Sequence, residues 1–297
     1  MSASFKLSRQ DGWLLVLLTV LWGINWPVMK IGVQDFPALS FRTLCMAGGV
    51  PLLWLIARAQ GHGVALAREH WRECLSLAMT NMTIWYVLSI YAVQMLSSGR
   101  AAILGYTMPV WTALIGWAVW RDRPQGRMGA GLLAAILAIG MLLVDEWRLL
   151  AGSPVGMALM LLAAMVWGLG TQLMRRRRMQ VPVVVIAFWM MVISVIVCSV
   201  LSIVLEHDQW ERWPNAIEWW AVAYNIVMVF GISQLLWFRL ASVLPPVASS
   251  LSVMMIPVVG VFSGMAMLSE QPGWADLLAL LCVLFAMACV LLPTRTR

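Results

Sequence analysis

TMPVWTALIGWAVWRDRP, residues Thr107–Pro124, returns in kind as MIPVVGVFSGMAMLSEQP, residues Met255–Pro272. At an offset of 148 residues Pro109 falls on Pro257, Gly116 on Gly264, Asp122 on Glu270 and Pro124 on Pro272. Each stretch is an apolar run with an internal proline, closed by an acidic residue and then proline. Upstream, Trp22-Gly23 matches Trp167-Gly168 at an offset of 145, so the halves differ by a net insertion of three. Matches in one register, in the same kind of segment, read as an internal duplication. The unit is too long for a solenoid repeat and has the size of half a transporter. The expected division is 1–148 and 149–297.

Composition gives the solvent. Of 297 residues, 62% are hydrophobic and 11% charged, where a soluble domain carries about 25% charge. Such a chain cannot cover itself in water, but a bilayer requires an apolar outer surface. The formal charge of +7 then reads as membrane anchoring rather than nucleic-acid binding. Cys45, Cys74, Cys198, Cys282 and Cys289 form no CxxC pair or metal-spaced cluster and read as small buried hydrophobes. His62, His70 and His207 fall in polar connections and give a metal site little support. The first apolar run has no small-residue cleavage site before Trp22 and reads as a retained helix.

A helix needs about 20 apolar residues to cross the hydrocarbon core, and ten stretches qualify. They are Gly12–Val33, Ala38–Ile56, Leu75–Met95, Gly99–Trp120, Gly126–Val144, Pro154–Met174, Val181–Leu205, Ile217–Arg239, Pro245–Leu268 and Trp274–Leu292. Ten spans put both termini on one side. Placing them in the cytoplasm puts fifteen of the 20 basic residues there, the Arg175–Arg178 run included, as the positive-inside rule asks. That run reads as a topology lock with anionic-lipid contact. Five spans per half make the halves enter the membrane in opposite directions. The expected fold class is therefore an all-α polytopic membrane protein of ten transmembrane helices, two inverted-topology five-helix repeats, a common basis for alternating access.

Function lies in the polar and aromatic groups inside the spans. The cavity candidates are Trp22, Asn25 and Trp26 in span 1, and Asn81, Trp85 and Tyr86 in span 3. Tyr106 and Trp111 follow in span 4, Trp167 and Gln172 in span 6, and Trp189 in span 7. Tyr224, Asn225, Gln234 and Trp237 come from span 8, and Ser249 and Ser252 from span 9. Asn and Gln facing lipid are costly, so these are expected inward, with interhelical bonding and substrate contact as equal alternatives. Serines in spans more often bond their own helix or permit close packing. Pro27, Pro109 and Pro257 disrupt helices and are hinge candidates; matched bends are the plainer reading of the last two. No Asp or Glu is expected near the midplane, which disfavours proton coupling through a buried carboxylate. Lys30, Arg42, Arg100 and Glu270 lie near span ends, where they snorkel, pair or form a gate; Arg100 and Glu270 are taken as gate candidates. No HExxH, GxSxG, Walker or dinucleotide motif is present. The expectation is a carrier that is not an enzyme and needs no cofactor or metal.

The two five-span halves, each with Trp-Gly early in its first span, resemble the drug/metabolite transporter superfamily, and more narrowly its EamA-type members. The second half has that family's proline in its fourth span and the acidic residue and proline after it, as Pro257, Glu270 and Pro272; the first half has Pro109, Asp122 and Pro124. Trp22-Gly23-Ile24-Asn25-Trp26-Pro27 and the tryptophan-rich spans are similar to bacterial aromatic amino acid exporters. The resemblance implies a bacterial inner-membrane basket of ten helices around a central cavity formed by spans 1, 3, 4, 6, 8 and 9. It implies export of Phe, Tyr and Trp, with Met, Leu and Thr as further candidates. The partners implied are a small-molecule substrate and membrane lipids, with no nucleic acid and no obligate protein partner. The alternative is an EamA-type exporter of another small metabolite, drug or lipid precursor, with proton coupling open.

Overall fold

The computed structural model describes residues 9–122, 126–148, 153–243 and 246–292; side chains at 146, 148 and 241–252 lie outside the description. The described residues are helical and include no strand. The first half runs α1 (Arg9–Gly32), α2 (Ala38–Ala59), α3 (Trp71–Ala78), α4 (Ile84–Met95), α5 (Ser98–Gly105), α6 (Met108–Trp120) and α7 (Met128–Arg148). The second runs α8 (Pro154–Arg175), α9 (Val183–Glu206), α10 (Ala216–Tyr224), α11 (Gln234–Val243), α12 (Pro246–Leu268) and α13 (Trp274–Leu291). A π-helical turn at Met79–Thr83 joins α3 to α4, and a longer one at Asn225–Ser233 joins α10 to α11. Among the described residues nine stretches are long and apolar enough to cross a bilayer, and the apolar helix Val253–Leu268 is a shorter tenth.

The third span starts earlier than the sequence suggested, at Trp71 rather than Leu75. Trp71 packs edge-on against Trp189 at 4.7 Å and Cys74 is fully buried, so this polar-looking turn has tertiary reasons to be helical. The prolines also act unequally. The helix breaks at Tyr106–Thr107, just before Pro109, whereas α1 and α12 continue through Pro27 and Pro257. Spans 4 and 9 thus differ at their prolines, one interrupted and one continuous.

Contacts at the helix ends sort the bundle into two faces. On the face where α1 begins, Asp11 pairs with Arg239 near the end of α11. There Asp122 after α6 meets Arg176 after α8, and Arg127 before α7 donates to the Leu292 carbonyl. We call this the terminal face. On the far face Lys30 Nζ donates to the Gln94 carbonyl at 2.7 Å, Glu206 at the end of α9 accepts from the start of α2, and Arg100 at the start of α5 pairs with Asp276 near the start of α13.

The two halves interlock. α1 packs along α12, α2 along α9, α7 along α13, and α8 against α4 and α6. Glycines set the closest approaches. A Cβ on Gly23 would collide with the Val259 side chain, and one on Gly168 would lie 2.8 Å from the Thr112 amide and 2.9 Å from the Trp111 Cβ. Trp111 and Val259 are themselves 148 residues apart, so the α1–α12 and α8–α6 crossings use corresponding notches. The outward faces of α7, α9 and α13 expose Leu133, Leu137, Ile196, Val200, Leu281 and Phe285, the apolar exterior that lipid requires.

Filling either notch overpacks a crossing between halves, where an extra side chain costs about 1–3 kcal/mol. Gly23→Leu and Gly168→Leu are each expected to lower the melting temperature in detergent by several degrees, whereas Gly129→Leu, at a site with open space around it, leaves it unchanged.

Candidate functional site

The sequence echo returns as two turns of the same construction. α6 ends in a left-handed residue, Arg121 (φ 57°), and α12 is followed by another, Ser269 (φ 55°). In each turn the next residue sends its amide back six residues, Asp122 N–H to the Gly116 carbonyl at 3.1 Å and Glu270 N–H to the Gly264 carbonyl at 3.4 Å. The bond is one residue longer than the 6→1 bond of a Schellman motif, and it closes the helix after a left-handed residue in the same way at both places. Each carboxylate then folds over its glycine: a Cβ at Gly116 or Gly264 would lie 2.6 Å from the Asp122 or Glu270 carboxylate oxygen.

The acids differ in what they reach. Glu270 accepts from the Ser98 amide (2.7 Å), the Ser98 hydroxyl (2.9 Å) and the Gly99 amide (3.2 Å), so it ties the end of α12 to the first turn of α5. Beside it Arg100, mostly buried, pairs with Asp276 at 2.6 Å and with Asp145. These gate candidates form one far-face cluster that binds α5, α7, α12 and α13 together. On the terminal face both carboxylate oxygens of Asp122 accept from Arg176 Nη2, at 2.6 and 2.7 Å. Arg176 also contacts the Gln172 side-chain oxygen and stacks 4.6 Å over the Trp120 ring. Gln172 Nε2 donates to the Thr112 carbonyl at 2.6 Å. A recess of about 510 Å³ opens beside this latch, lined by Pro109, Thr112, Trp117, Trp167, Thr171 and Gln172 among others.

Between the faces the aromatic candidates meet in pairs from different helices. Trp22 lies 5.7 Å from Trp237, Trp26 is 6.3 Å from Tyr106, Trp85 is 5.2 Å from Trp167, and Tyr86 is 6.1 Å from Phe230. Trp111 is half-buried against the same core. Trp26 and Tyr106 are nearly closed off, at 5% and 7% exposure, whereas Trp22, Trp167 and Trp237 stay half-exposed. The amides divide as well. Asn81 and Asn225 sit in the two π-helical turns, and each donates to the carbonyl four residues before it, Leu77 and Ala221. The oxygens of Asn225 and Asn25 are buried without a partner. Tyr224 donates its hydroxyl to the Leu21 carbonyl at 2.8 Å. Gln234 is half-buried at the start of α11.

Trp189 goes elsewhere. Its indole donates to the Val64 carbonyl at 2.7 Å and its ring packs on Trp71 and Phe188, so it fastens the connection after α2 to α9 on the terminal face. Ser249 and Ser252 belong to α12, but their side chains fall outside the described residues. Among the described residues no three His, Cys, Asp or Glu side chains gather as a metal site would require.

One residue of the interior was missed by the sequence reading, which set Arg42 at a span end to snorkel, pair or gate. Its exposure is 2%. Its Nη2 touches the Met29 sulfur at 2.7 Å, its guanidinium lies 4.8 Å over the Tyr86 ring, and its Nε has no partner. The available signal was its place four residues inside an apolar helix, deeper than the headgroups.

A model of the EamA-like transporter family matches the chain twice, at residues 12–144 and 154–292. The uncharacterized transporter YoaV of Bacillus subtilis (strain 168) is 23% identical, over 86% of this chain and 88% of its own. A protein named "Probable amino-acid metabolite efflux pump" from Salmonella typhimurium is 25% identical over 89% of each chain; its namesake from Escherichia coli (strain K12) is also 25% identical, over 67% of this chain and 66% of its own. A solved structure superposes with a TM-score of 0.66 at 18% identity, covering 98% of this chain and all of the other, and so shares the fold.

The terminal-face latch is partly solvent-exposed, so its coupling is small. Asp122→Asn and Arg176→Gln, combined in a double-mutant cycle read by thermal unfolding in detergent, are expected to give a coupling of about 1 kcal/mol. Glu270→Gln removes the charge from three donors at once and is expected to cost more, about 1.5–3 kcal/mol.

Proposed function

Because the chain belongs to the EamA-like transporter family, we propose that it is a bacterial inner-membrane carrier that exports neutral amino acids, the aromatic ones foremost, by alternating access. The observation that carries the substrate class is the set of aromatic pairs, Trp22 with Trp237, Trp26 with Tyr106 and Trp85 with Trp167. Of these, Trp22, Trp167 and Trp237 keep part of a flat apolar face accessible to a ring, and the amide oxygens of Asn25 and Asn225 in the same core are unpartnered. The relatives named as amino-acid metabolite efflux pumps support the same class.

In this reading the chain is two inverted five-helix repeats, 1–148 and 149–297, arranged as a basket around the cavity. The double family match and the paired turns at Arg121 and Ser269 support the repeat. The bias of basic residues supports cytoplasmic termini. The terminal face is then cytoplasmic, and the Asp122–Arg176 latch restrains that side while Glu270 and Arg100 restrain the periplasmic side. Alternating access requires the two latches to open in turn. With no carboxylate assigned to the midplane, transport proceeds by facilitated diffusion or exchange.

The test is counterflow by purified protein in liposomes preloaded with unlabelled phenylalanine. Labelled phenylalanine is expected to accumulate saturably, with competition by tryptophan and threonine, and without a proton gradient. Accumulation only with a gradient keeps the substrate and overturns the uncoupled mechanism. No accumulation by folded protein overturns the substrate and favours another metabolite, drug or lipid precursor.

A further inference from the structure

Arg42 is a buried charge with no ionic partner among the described residues. Taking a guanidinium out of water is costly unless a counterion and hydrogen bonds replace the hydration. Here the replacements are a thioether and a ring face, both weak acceptors, and Nε has none. The nearby carboxylate, Glu206, is fully engaged. It accepts from the Leu39 and Ser40 amides, the Ser40 and Ser202 hydroxyls and the Tyr91 hydroxyl, at 2.8–3.3 Å, and it makes no ion pair with Arg42.

The surroundings are closely packed in this conformation, with Arg42 at 2% and Asn225 at 0% exposure. Tyr86 is half-exposed although both Arg42 and Phe230, on either flank, are buried. The two unpartnered amide oxygens belong to α1 and to the π-helical turn that packs on α1 and α2. α1 and α2 run in opposite directions from the Met29–Arg42 contact, so Asn25 sits one turn, about 6 Å, further in. The Tyr224–Leu21 bond holds the neighbouring Asn225 against α1, and Ile226 rests in the notch of Gly48 on α2. A donor without an acceptor is therefore carried on α2, and two acceptors without donors are carried on α1 and on the π-helical turn after α10, which packs against both α1 and α2 here.

We propose that Arg42 binds the carboxylate of the transported amino acid, and that the side-chain oxygens of Asn25 and Asn225 take its ammonium. This rests on the amino acid reading above and gives it a recognition chemistry: a free α-carboxylate is required, and the side chain is selected loosely by the aromatic pairs. A carboxylate here forms the charge-assisted, fork-shaped bonds for which guanidinium is suited. The Tyr86 face and Met29 sulfur shelter the charge when no substrate is bound.

Competition against labelled phenylalanine counterflow tests this. Phenethylamine and phenylalaninamide keep the ring and the amine and lack the carboxylate. On wild-type protein each is expected to need at least tenfold more than phenylalanine for half-inhibition. Arg42→Lys retains the charge without the fork and is expected to transport phenylalanine with a severalfold higher KM. Arg42→Gln is expected to raise KM tenfold or more and to lose the discrimination against phenethylamine, a change that a purely structural arginine does not produce. If phenethylamine competes as well as phenylalanine on wild-type protein, the carboxylate site is overturned while the amino acid carrier stands. A folded Arg42→Gln with wild-type KM and discrimination does the same. Absence of phenylalanine counterflow from folded wild-type protein overturns the carrier reading and this site with it. Because the wild-type comparison needs no variant, a misfolded substitution leaves the proposal testable.

Discussion

Carboxylates bound to backbone amides at helix ends hold this bundle together. A helix start presents N–H groups that no preceding turn can satisfy, and inside a bilayer no water replaces the missing acceptors. Glu206 supplies them for α2 at Leu39 and Ser40, and Glu270 for α5 at Ser98 and Gly99. Glu73 does the same for the segment leading to α9, accepting from Arg178 and Met179. Glu218 and Asp276 accept from the amides just before α10 and α13. At α2, α5, α10 and α13 the positive end of the helix dipole favours the negative charge. For Glu206, Glu270 and Glu73 the acid and the amides are far apart in sequence, so local helix chemistry becomes the bond between remote spans.

That use of the acids shapes the interior. Carboxylates committed to helix starts leave Arg42 without an ionic partner, and the centre is lined by aromatic rings and amides instead. Charges capable of breaking and reforming are concentrated in the latches at the two faces.

Much of the architecture was legible because its signals are strong. Apolar runs of span length gave the spans, and the Pro109/Pro257 echo pointed to two stretches that close in turns of the same construction. The acidic residues after spans 4 and 9 marked corresponding turns even though the chemistry differs, one acid taking an arginine and the other backbone amides. What could not be read depends on distant partners. Trp71 becomes helical because of Trp189, and Trp189 is drawn away from the interior by the Val64 carbonyl. The break before Pro109 and the continuity through Pro257 come from unlike surroundings of like residues. Arg42 looked like an end residue because periodicity gives depth only to within a turn or so, and one turn separates a headgroup charge from a buried one.

The crossing of α1 on α12 has a consequence for how the chain is made. The notch at Gly23 is closed by Val259, about 240 residues later, and at ordinary rates of synthesis that interval is on the order of 10–50 s. Throughout it α1 is an early arrival without its wall, with Asn25 and the notch open to whatever occupies the membrane around it. A nascent chain stopped before α12 is therefore not half of a working protein but a set of helices with unsatisfied faces. Insertion must proceed faster than those faces find the wrong neighbour, or they must be shielded until the last helices leave the ribosome.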